Sequence, residues 1–421
     1  MFCGNRDWLG DGHLQQDKVK IGILSHYYHS VNYGGNLQAY ALCRFLQTHF
    51  SGVQAEQVSY DIRKNAKKPR RQAQLSVGRV LRKLRTVLQN KLYAKTKAEE
   101  NRAIRLREKA ILEFNTKSIP HSAEVYDAAN IAQCVPQYDV FITGSDQVWH
   151  PNAVCPAYLL SFVDGAKKPK LSYAASISKP DLNEAQLQMF REALRDYQAV
   201  SVREADAVRL LSGVAPTTPV QVLDPTMLLT AAEWKTVAAP RKIEDPYLFC
   251  YFLGDDTRQR KLAADFAKEK GLQIVTLPYL LGKYRKCDAK FGDTRLFDVS
   301  VSDFLSLIEF ADFVCTDSFH AVVFSLLFEK DFFVFERAGA KGAGTRVHSL
   351  LSLFDLEERF CSSLKTMQTS YLAGLSPVDY AKPFEKFKDR KAFSVRFLET
   401  ALRGARESGR PDLASDAANK D

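Results

Sequence analysis

The chain has 421 residues, enough for two domains with well-buried cores, and 46% of them are hydrophobic, as is typical of globular proteins. No uncharged apolar run approaches the roughly 18–20 residues of a membrane span, and the N-terminal residues lack the apolar core of a secretory signal. The net charge is +10, and the eight cysteines form no CxxC pair and have no histidine at metal-ligand spacing, so we expect reduced thiols in a cytoplasmic protein without a metal or cofactor.

The first half of the chain alternates between strand-like and helix-like segments. Strands are predicted at Val19–Ser25, Glu56–Tyr60, Asp139–Thr143, Leu171–Ala175, Ala199–Val202 and Val220–Leu223. Helices are predicted at Asn36–His49, Asn183–Tyr197 and Glu204–Leu211. Such alternation indicates a mostly parallel sheet that is wrapped by helices.

A second alternating set follows a polar stretch that contains Pro240 and Pro246. Its predicted strands are Tyr247–Leu253, Gln273–Leu277, Phe313–Cys315 and Phe332–Phe335, and its predicted helices are Arg258–Lys270, Ser302–Ala311 and Phe319–Phe328. Closing helices are predicted at Thr345–Leu353 and Glu385–Leu402. We therefore predict an α/β fold of two doubly wound, Rossmann-like domains that face a cleft.

The predicted domain boundaries follow from these elements. An N-terminal extension covers residues 1–18, and the first α/β domain covers residues 19–240 with a basic helical insertion at 63–115. The second α/β domain covers residues 241–336. Closing helices follow at 337–406, and a polar tail follows at 407–421.

Two adjacent glycines mark the junction between the first strand and the first helix. Gly34 and Gly35 precede apolar residues of helical period that begin at Leu37. Glycine lets a ligand approach the backbone closely, and the free N–H groups at a helix start favour an anion. Alternatively, the glycines only turn a tight corner. With Asn36 they are candidate cleft-lining residues.

The positive charge is concentrated in one segment. Between Arg63 and Lys109 there are 17 Lys or Arg residues against three Glu, a net charge of +14 that leaves about −4 for the rest of the chain. A predicted helix in this segment has one apolar face and basic residues elsewhere, among them Arg79, Arg82, Lys83 and Arg85. It could pack its apolar stripe on the domain, or bind an anionic membrane face or glycan carrier. Nucleic acid is disfavoured, because no recognisable binding module accompanies the charge.

The loops after three predicted strands carry polar residues. Asp146 and Trp149 follow the strand that ends at Thr143, and a carboxylate beside an aromatic ring is a common way to hold a sugar. Alternatively, Trp149 packs in the core and Asp146 caps a turn. Ser176 follows the next strand and is a further cleft-lining candidate. The segment Leu223–Thr226 is typical of a strand-ending turn, and we assign it no chemistry.

Arg203 is a candidate for binding an anion. It ends the strand Ala199–Val202 and precedes a helix. Its guanidinium can form a bidentate fork onto a carboxylate or a phosphate. The alternative is an exposed charge at a helix start that pairs with Glu204 or Asp206.

The strongest catalytic candidate is His320. It falls in the first turn of a predicted apolar helix, after the strand Phe313–Cys315, where ligands of open α/β sheets bind. The helix start at Ser318 and Phe319 can hold phosphate with its N–H groups. The alternative is a histidine that is satisfied in the core. Arg346 is a second, weaker anion candidate, because other basic residues compete nearby.

Five short segments complete the list of motifs. They are Asn-Tyr-Gly-Gly-x-Leu-Gln-Ala-Tyr-Ala-Leu from Asn32, Gly-Ser-Asp-Gln-Val-Trp from Gly144, Ser-Tyr-Ala-Ala-Ser from Ser172, Ser-Val-Arg-Glu from Ser201 and Thr-Asp-Ser-Phe-His from Thr316. In this order they resemble the polysaccharide pyruvyl transferase family. Two positions depart from the family pattern: His150 stands where asparagine is more usual, and Ser178 stands where glycine is expected. Both concern acceptor recognition, since they lie on predicted cleft loops.

The resemblance implies a transferase similar in architecture to GT-B glycosyltransferases. Pyruvate would move from phosphoenolpyruvate, as a ketal, onto sugar hydroxyls of a cell-surface or exopolysaccharide precursor. His320 would be the acid–base residue, as an imidazolium that protonates the methylene carbon at neutral pH. Arg203, Ser318 and Phe319 would bind the donor, with Arg346 in reserve.

Two other functions stay open on the sequence. One is a GT-B-like glycosyltransferase that uses a nucleotide sugar, and the other is a non-catalytic carbohydrate- or membrane-binding protein that uses the basic helix. The expected partners are phosphoenolpyruvate and a glycan or lipid-linked oligosaccharide, with peripheral contact at the inner face of the cytoplasmic membrane and no nucleic acid.

Overall fold

Two parallel sheets form the centre of the structure, a computed structural model that describes residues 18–65, 84, 85, 87, 88, 91, 92, 97–282, 284–337, 343–363 and 365–408. Within these residues the first sheet has the strand order β3-β2-β1-β4-β5-β6-β7 and the second β10-β9-β8-β11-β12-β13. The strands are β1 Val19–Leu24, β2 Val53–Tyr60, β3 His121–Tyr126, β4 Val140–Thr143, β5 Lys170–Ala175, β6 Ala199–Val202, β7 Val220–Gln221, β8 Tyr247–Tyr251, β9 Gln273–Thr276, β10 Thr294–Arg295, β11 Phe313–Thr316, β12 Asp331–Phe335 and β13 Phe360–Cys361.

Helices connect most of these strands and cover the sheets. The described helices are α1 Tyr33–His49, α2 Ala98–Lys117, α3 Glu184–Leu194, α4 Ala205–Leu211, α5 Ala231–Lys235, α6 Thr257–Lys270, α7 Val301–Glu309, α8 Phe319–Leu327, α9 Ala343–Ser352, α10 Thr369–Ala373 and α11 Ala381–Ser408. Several begin at side-chain caps that the sequence supplies, such as Asn183 for α3 and Ser300 for α7.

The two sheets confirm the predicted fold class. Every strand pair in them is parallel. In each sheet the order reverses beside the first strand of the domain, since β1 lies between β2 and β4, and β8 lies between β9 and β11. The chain therefore forms two Rossmann-like domains. Ligands of such sheets bind outside the carboxyl ends of the strands.

Helix α2 lies in the segment that was predicted only as a basic helical insertion. Ile104 and Ile111 are buried, as an apolar stripe requires. Two polar residues, Arg107 and Asn115, are buried as well. Arg107 donates to the carbonyl oxygens of Pro278 and Tyr279 in the second domain. The helix is thus part of the junction between the domains, which its basic composition does not indicate.

Most of the predicted basic amphipathic helix lies outside the described residues, as do residues 1–17 and 409–421. Four members of its apolar face are described and helical, and their exposed fractions run from 51% to 67%: Leu84, Val87, Leu88 and Leu92. The part of the chain that the structure describes contains no helix long and apolar enough to cross a membrane.

The domains are joined through their cores. The Tyr33 ring at the start of α1 stacks on Phe304 of the second domain, with ring centroids 4.6 Å apart, and its hydroxyl donates to the Val299 carbonyl oxygen at 2.7 Å. In the other direction, α11 returns to the first domain, where the Leu223 N–H donates to the Ser394 hydroxyl. One hydrophobic cluster extends through both domains.

We predict that Tyr33→Phe lowers the free energy of unfolding by about 1–3 kcal/mol, because the buried Val299 carbonyl loses its donor. Denaturation in urea measures this change. Tyr40→Phe is the matched control on the same helix, since its ring packs on Phe114 and Trp234 and no hydrogen bond of its hydroxyl is found within the described chain. Equal losses in the two variants would contradict the prediction.

Candidate active site

Polar side chains from both domains converge at the carboxyl ends of the strands. In the first domain they follow four neighbouring strands, and in the second they lie on helices: Asp146 after β4, Ser176 after β5, Arg203 and Glu204 after β6, Asp224 after β7, His320 on α8 and Arg346 on α9. Contacts among these side chains show that they form one cluster. We call it the cleft cluster.

His320 lies in the first turn of α8, and its ring contacts the first turn of α1. The N–H of the N-cap residue Ser318 donates to the Thr316 hydroxyl at 3.0 Å. The Ser318 side chain makes no capping bond, so the N–H groups of the first turn after Ser318 are open to another acceptor. A Cβ atom on Gly34 would lie only 2.0 Å from His320 Nδ1. The other ring nitrogen, Nε2, is buried without a hydrogen-bond partner among the described residues, and it lies 3.8 Å from Asp224 Oδ2.

Gly34 and Gly35 do not form the anion site that was one of the two interpretations of this pair. The Asn32 side chain accepts hydrogen bonds from the N–H groups of Gly34 and Gly35, at 3.0 and 3.4 Å, so these groups are not free for an anion. Gly34 is needed for the close approach of His320. Asn36 does not line the cleft, because it is fully buried and its amide donates to the Ser30 and Asn32 carbonyl oxygens.

Arg203 is buried rather than exposed at a helix start. Its Nη1 donates to Asp224 Oδ2 at 2.7 Å, and its Nη2 lies 3.5 Å from Asp146 Oδ1. Its guanidinium lies over the Phe319 ring, 4.3 Å from the centroid. Nε and Nη2 are buried and form no hydrogen bond within the described chain, so two donors of the guanidinium remain for another acceptor.

Arg346 and Asp146 complete the charged lining. Arg346 Nη1 lies 4.0 Å from Asp146 Oδ1, and its guanidinium lies 6.0 Å from the Phe319 centroid, farther away than that of Arg203. Its Nε is buried and also lacks a partner in the described structure. Burial and the charge of Arg203 lower the pKa of Arg346 to about 10, which still leaves it charged at neutral pH.

Glu204 and Ser176 form a hydrogen-bonded pair behind Arg203. The Ser176 hydroxyl donates to Glu204 Oε1, while Glu204 Oε2 is buried and has no hydrogen-bond partner among the described residues. Burial raises the pKa of Glu204, although Arg203 opposes the effect. Burial also acts to raise the pKa of Asp146, but the charges of Arg203, His320 and Arg346 hold it at about 2.

Trp149 lies in the core of the first domain, so the structure supports the packing interpretation of this residue. It is completely buried, its ring contacts Phe190 and Tyr197, and its indole N–H donates to the Tyr158 carbonyl oxygen at 3.1 Å. No face of the ring is available to a sugar. Ser178, which departs from the family pattern, has a φ of 54°, a left-handed conformation that explains why glycine is expected there.

Asp224 belongs to the cleft cluster although the sequence analysis assigned it no chemistry. It has no exposed side-chain surface, and it contacts both Arg203 and His320. His26, after β1, was also missed, and it interacts electrostatically with Asp146. Both residues follow strands of the first sheet, so the rule that ligands bind at the carboxyl edge could have identified them.

The protonation state of His320 differs from the expected imidazolium. Burial lowers the pKa of His320 below its usual value of 6.5, and the negative charges of Asp224 and Asp146 oppose this only in part. Without a ligand the imidazole is therefore neutral at pH 7. An anion bound nearby would raise the pKa again. Among the described residues, no group of three or more His, Cys, Asp or Glu could hold a metal ion.

The sequence model of polysaccharide pyruvyl transferases matches residues 32–339. This is more than half of the chain, and it contains every member of the cleft cluster except Arg346. The chain belongs to the polysaccharide pyruvyl transferase family. A search of the curated proteins gave no match.

The chain is also similar to several solved structures at low sequence identity. The S. aureus MnaA–UDP co-structure is 11% identical, with a TM-score of 0.49 over 92% of this chain and 97% of that one. UDP-GlcNAc 2-epimerase from Methanocaldococcus jannaschii is 10% identical, with a TM-score of 0.49 over 90% of this chain and 99% of that one. Anabaena HepE in complex with UDP-glucose is 11% identical, with a TM-score of 0.45 over 92% of this chain and 98% of that one.

We predict that Gly34→Ala lowers the free energy of unfolding by about 1–3 kcal/mol, the usual cost of overpacking, because the new methyl group meets the His320 ring. In a His320→Ala background the same substitution should cost much less, since the ring is gone. Urea denaturation of the four proteins measures both effects. Gly404→Ala, where a Cβ would meet nothing within 4 Å, is the control and should behave alike in both backgrounds. If Gly34→Ala lowered the free energy of unfolding equally in the wild type and in the His320→Ala background, the prediction would be contradicted.

Proposed function

We propose that this protein transfers pyruvate from phosphoenolpyruvate onto two hydroxyls of a sugar, as a ketal, and releases phosphate. The observation that supports this most directly is a set of buried nitrogen atoms without hydrogen-bond partners in the described chain, on Arg203, Arg346 and His320. They lie around the Phe319 ring, in the motif shared with the family. A small, multiply charged anion supplies the acceptors that these atoms lack.

The donor carries a phosphate and a carboxylate and therefore needs hydrogen-bond donors at two places. Nε and Nη2 of Arg203 form one fork, a geometry that suits either group. The uncapped N–H groups at the start of α8, beside Ser318 and Phe319, provide a second place, where the helix dipole also favours an anion. Arg346 Nε is available at the edge of the same site.

His320 is the proton donor in this proposal. Its Nε2 faces the cluster without a partner in the described structure, and it would protonate the methylene carbon of the donor, which becomes the methyl group of the ketal. One sugar hydroxyl adds to the neighbouring carbon, the C–O bond to phosphate breaks, and a second hydroxyl closes the ketal. Of the two hydroxyl protons, one replaces the proton that His320 gave up, and the other leaves with the phosphate.

The incoming hydroxyl also needs a base, and two carboxylates are candidates. Asp146, with a pKa of about 2, is a weak base and is already engaged with the two arginines. Glu204 has a raised pKa and an oxygen atom without a partner among the described residues, so we assign it the role of base. Asp146 would accept hydrogen bonds from the other sugar hydroxyls.

We predict that His320→Gln folds but loses about 10²–10⁴-fold in turnover, because glutamine cannot exchange the proton. In the wild type, the free-enzyme pKa below 6.5 should rise when the anionic donor binds, so donor binding near pH 7 should take up protons. Calorimetry in buffers of different ionisation enthalpy measures this uptake. The alkaline limb of kcat should lie at higher pH than that of kcat/KM. A variant with wild-type turnover, or with unchanged proton uptake, would refute the role of His320.

Arg203→Lys should weaken donor binding by about 1–3 kcal/mol, since an ammonium group cannot form the bidentate fork. Calorimetric titration with phosphoenolpyruvate measures the loss. Arg209→Lys is the control, because Arg209 lies on the exposed side of α4. Unchanged affinity of Arg203→Lys would remove Arg203 from the donor site and favour Arg346.

The reaction itself is tested by incubating the protein with phosphoenolpyruvate or sugar nucleotides and with defined oligosaccharide or lipid-linked acceptors. Phosphate release together with the mass increase of a pyruvate ketal on the acceptor would support the proposal. Nucleotide release with transfer of a sugar would instead identify a glycosyltransferase. Binding without release of either product would favour a non-catalytic carbohydrate-binding protein.

We also infer that the basic segment brings the enzyme to an anionic membrane that carries its acceptor. The described apolar residues Leu84, Val87, Leu88 and Leu92 are exposed, as in a helix that lies on a bilayer. The net charge of +14 between Arg63 and Lys109 adds electrostatic attraction, about 1 kcal/mol for each Lys or Arg near an anionic surface.

Replacing Arg79, Arg82, Lys83 and Arg85 by Gln should abolish low-salt binding to phosphatidylglycerol vesicles and leave turnover on a short soluble acceptor intact. The matched control replaces four exposed residues of α6, which changes the net charge equally: Arg258, Lys261, Lys268 and Lys270. Sedimentation with vesicles measures binding. No binding by the unmodified protein, or equal losses in the two variants, would count against this surface.

A further inference from the structure

Asp224 is the most completely enclosed charged residue of the cleft cluster. It has no exposed side-chain surface, and both of its carboxylate oxygens accept hydrogen bonds. Oδ1 accepts from the N–H and the hydroxyl of Thr226, at 3.0 and 2.7 Å. Oδ2 accepts from Arg203 Nη1 at 2.7 Å and from the Ser145 hydroxyl at 3.1 Å. A carboxylate with both oxygens engaged and no exposed surface cannot exchange protons with a substrate, so any role must act through its neighbours.

Two of these neighbours belong to the proposed chemistry, and they come from different domains. Arg203 follows β6 of the first domain, and its bond to Asp224 occupies Nη1 while Nε and Nη2 stay free of hydrogen-bond partners in the described chain. His320 lies on α8 of the second domain, with Nε2 3.8 Å from Asp224 Oδ2. The carboxylate therefore lies between the donor-binding fork and the proton-donating ring.

We propose that Asp224 is a positioning residue of the pyruvyl-transfer site: it fixes the Arg203 fork and supplies the negative charge that keeps a proton on His320 Nε2. The effect on turnover rests on the proposed function, but the effect on His320 does not. The hydrogen bond from Nη1 to Asp224 fixes the guanidinium group, so that Nε and Nη2 are directed to the donor. Placing a carboxylate beside Nε2 favours both the tautomer that carries its proton there and the imidazolium.

Four charged residues act on His320, and Asp224 is the main one that favours its charged form. Asp146, after β4, acts in the same direction, whereas Arg203, after β6, and Arg346, on α9, act against it. Burial has the largest effect and also disfavours the imidazolium. Removing the charge of Asp224 should therefore leave the cations and burial opposed by Asp146 alone among these charges.

The test is an NMR titration of the wild type and of Asp224→Asn with ¹³C at the histidine Cε1 position. The chain has only eight histidines, and the loss of one signal in His320→Gln assigns His320. We expect the midpoint of the His320 titration to fall by about one pH unit or more in Asp224→Asn. Asp288→Asn is the matched control: Asp288 is a buried carboxylate that also binds two arginines, Arg260 and Arg285, but it lies outside the cleft cluster. That variant should leave the midpoint unchanged.

A second measurement needs no variant of Asp224, so it stays decisive if Asp224→Asn does not fold. Nitrogen chemical shifts of neutral His320 in the wild type should show the proton on Nε2, the atom that faces Asp224. A proton on Nδ1, or an unchanged midpoint in a folded Asp224→Asn, would overturn the proposal.

Kinetics separate positioning from general stability. Asp224→Asn should raise KM for phosphoenolpyruvate and move the alkaline limb of kcat/KM to lower pH, whereas a loss of folded protein lowers kcat equally at every pH. If the wild type released no phosphate with any acceptor, the proposed function would fail, and the two NMR results would still decide the relation between Asp224 and His320.

Discussion

The buried ion pair between Arg203 and Asp224 is the contact on which the arrangement of the cleft cluster depends. Neither side chain is appreciably exposed, and taking two charges out of water costs several kcal/mol for each ion unless close contacts compensate it. The compensation comes from neighbouring loops, because Ser145 after β4 and Thr226 after β7 also donate to Asp224. The pair therefore ties together the loops that follow three strands of the first sheet, and it holds the donor-binding fork in one orientation.

The charges of the cleft cluster are close to balance before a donor binds. Arg203 and Arg346 are positive, Asp146 and Asp224 are negative, and burial keeps His320 neutral and raises the pKa of Glu204. A multiply charged anion would shift this balance and raise the proton affinity of both His320 and Glu204. In the proposed reaction, donor binding thus charges the acid at the moment when the acid is needed.

The junction between the domains is as important for this site as the loops themselves. His320 belongs to the second domain, yet its ring lies against Gly34 and beside Asp224 of the first. The ring can hold this position because the domain cores are joined at Tyr33, at Arg107 and along α11. A shift of one domain by the width of a methyl group would change the distance between Nε2 and the Arg203 fork, so the packing of Tyr33 on Phe304 indirectly sets the geometry of the chemistry.

The sequence alone was sufficient for the fold class and the family, and it identified five members of the cleft cluster: His320, Arg203, Arg346, Asp146 and Ser176. Alternating strand and helix patterns depend on local periodicity, and the carboxyl edge of a parallel sheet is a general location for ligands, so both can be read without coordinates. The sequence pointed to Gly34 but did not show why glycine is needed there. The His320 ring that requires a residue without a Cβ atom is 286 positions away in the sequence.

Only the tertiary structure decided which polar residues are buried together and which have partners. Trp149 and Asn36 look like cleft residues in the sequence, but packing placed the first in the core and enclosed the second in backbone hydrogen bonds. Asp224 looks like an ordinary residue of a turn, and its importance appears only when Arg203 and His320 are brought to it from different domains. The protonation state of His320 has the same origin, since burial and the distances to four charges arise from the folded arrangement, while the sequence specifies only the type of side chain.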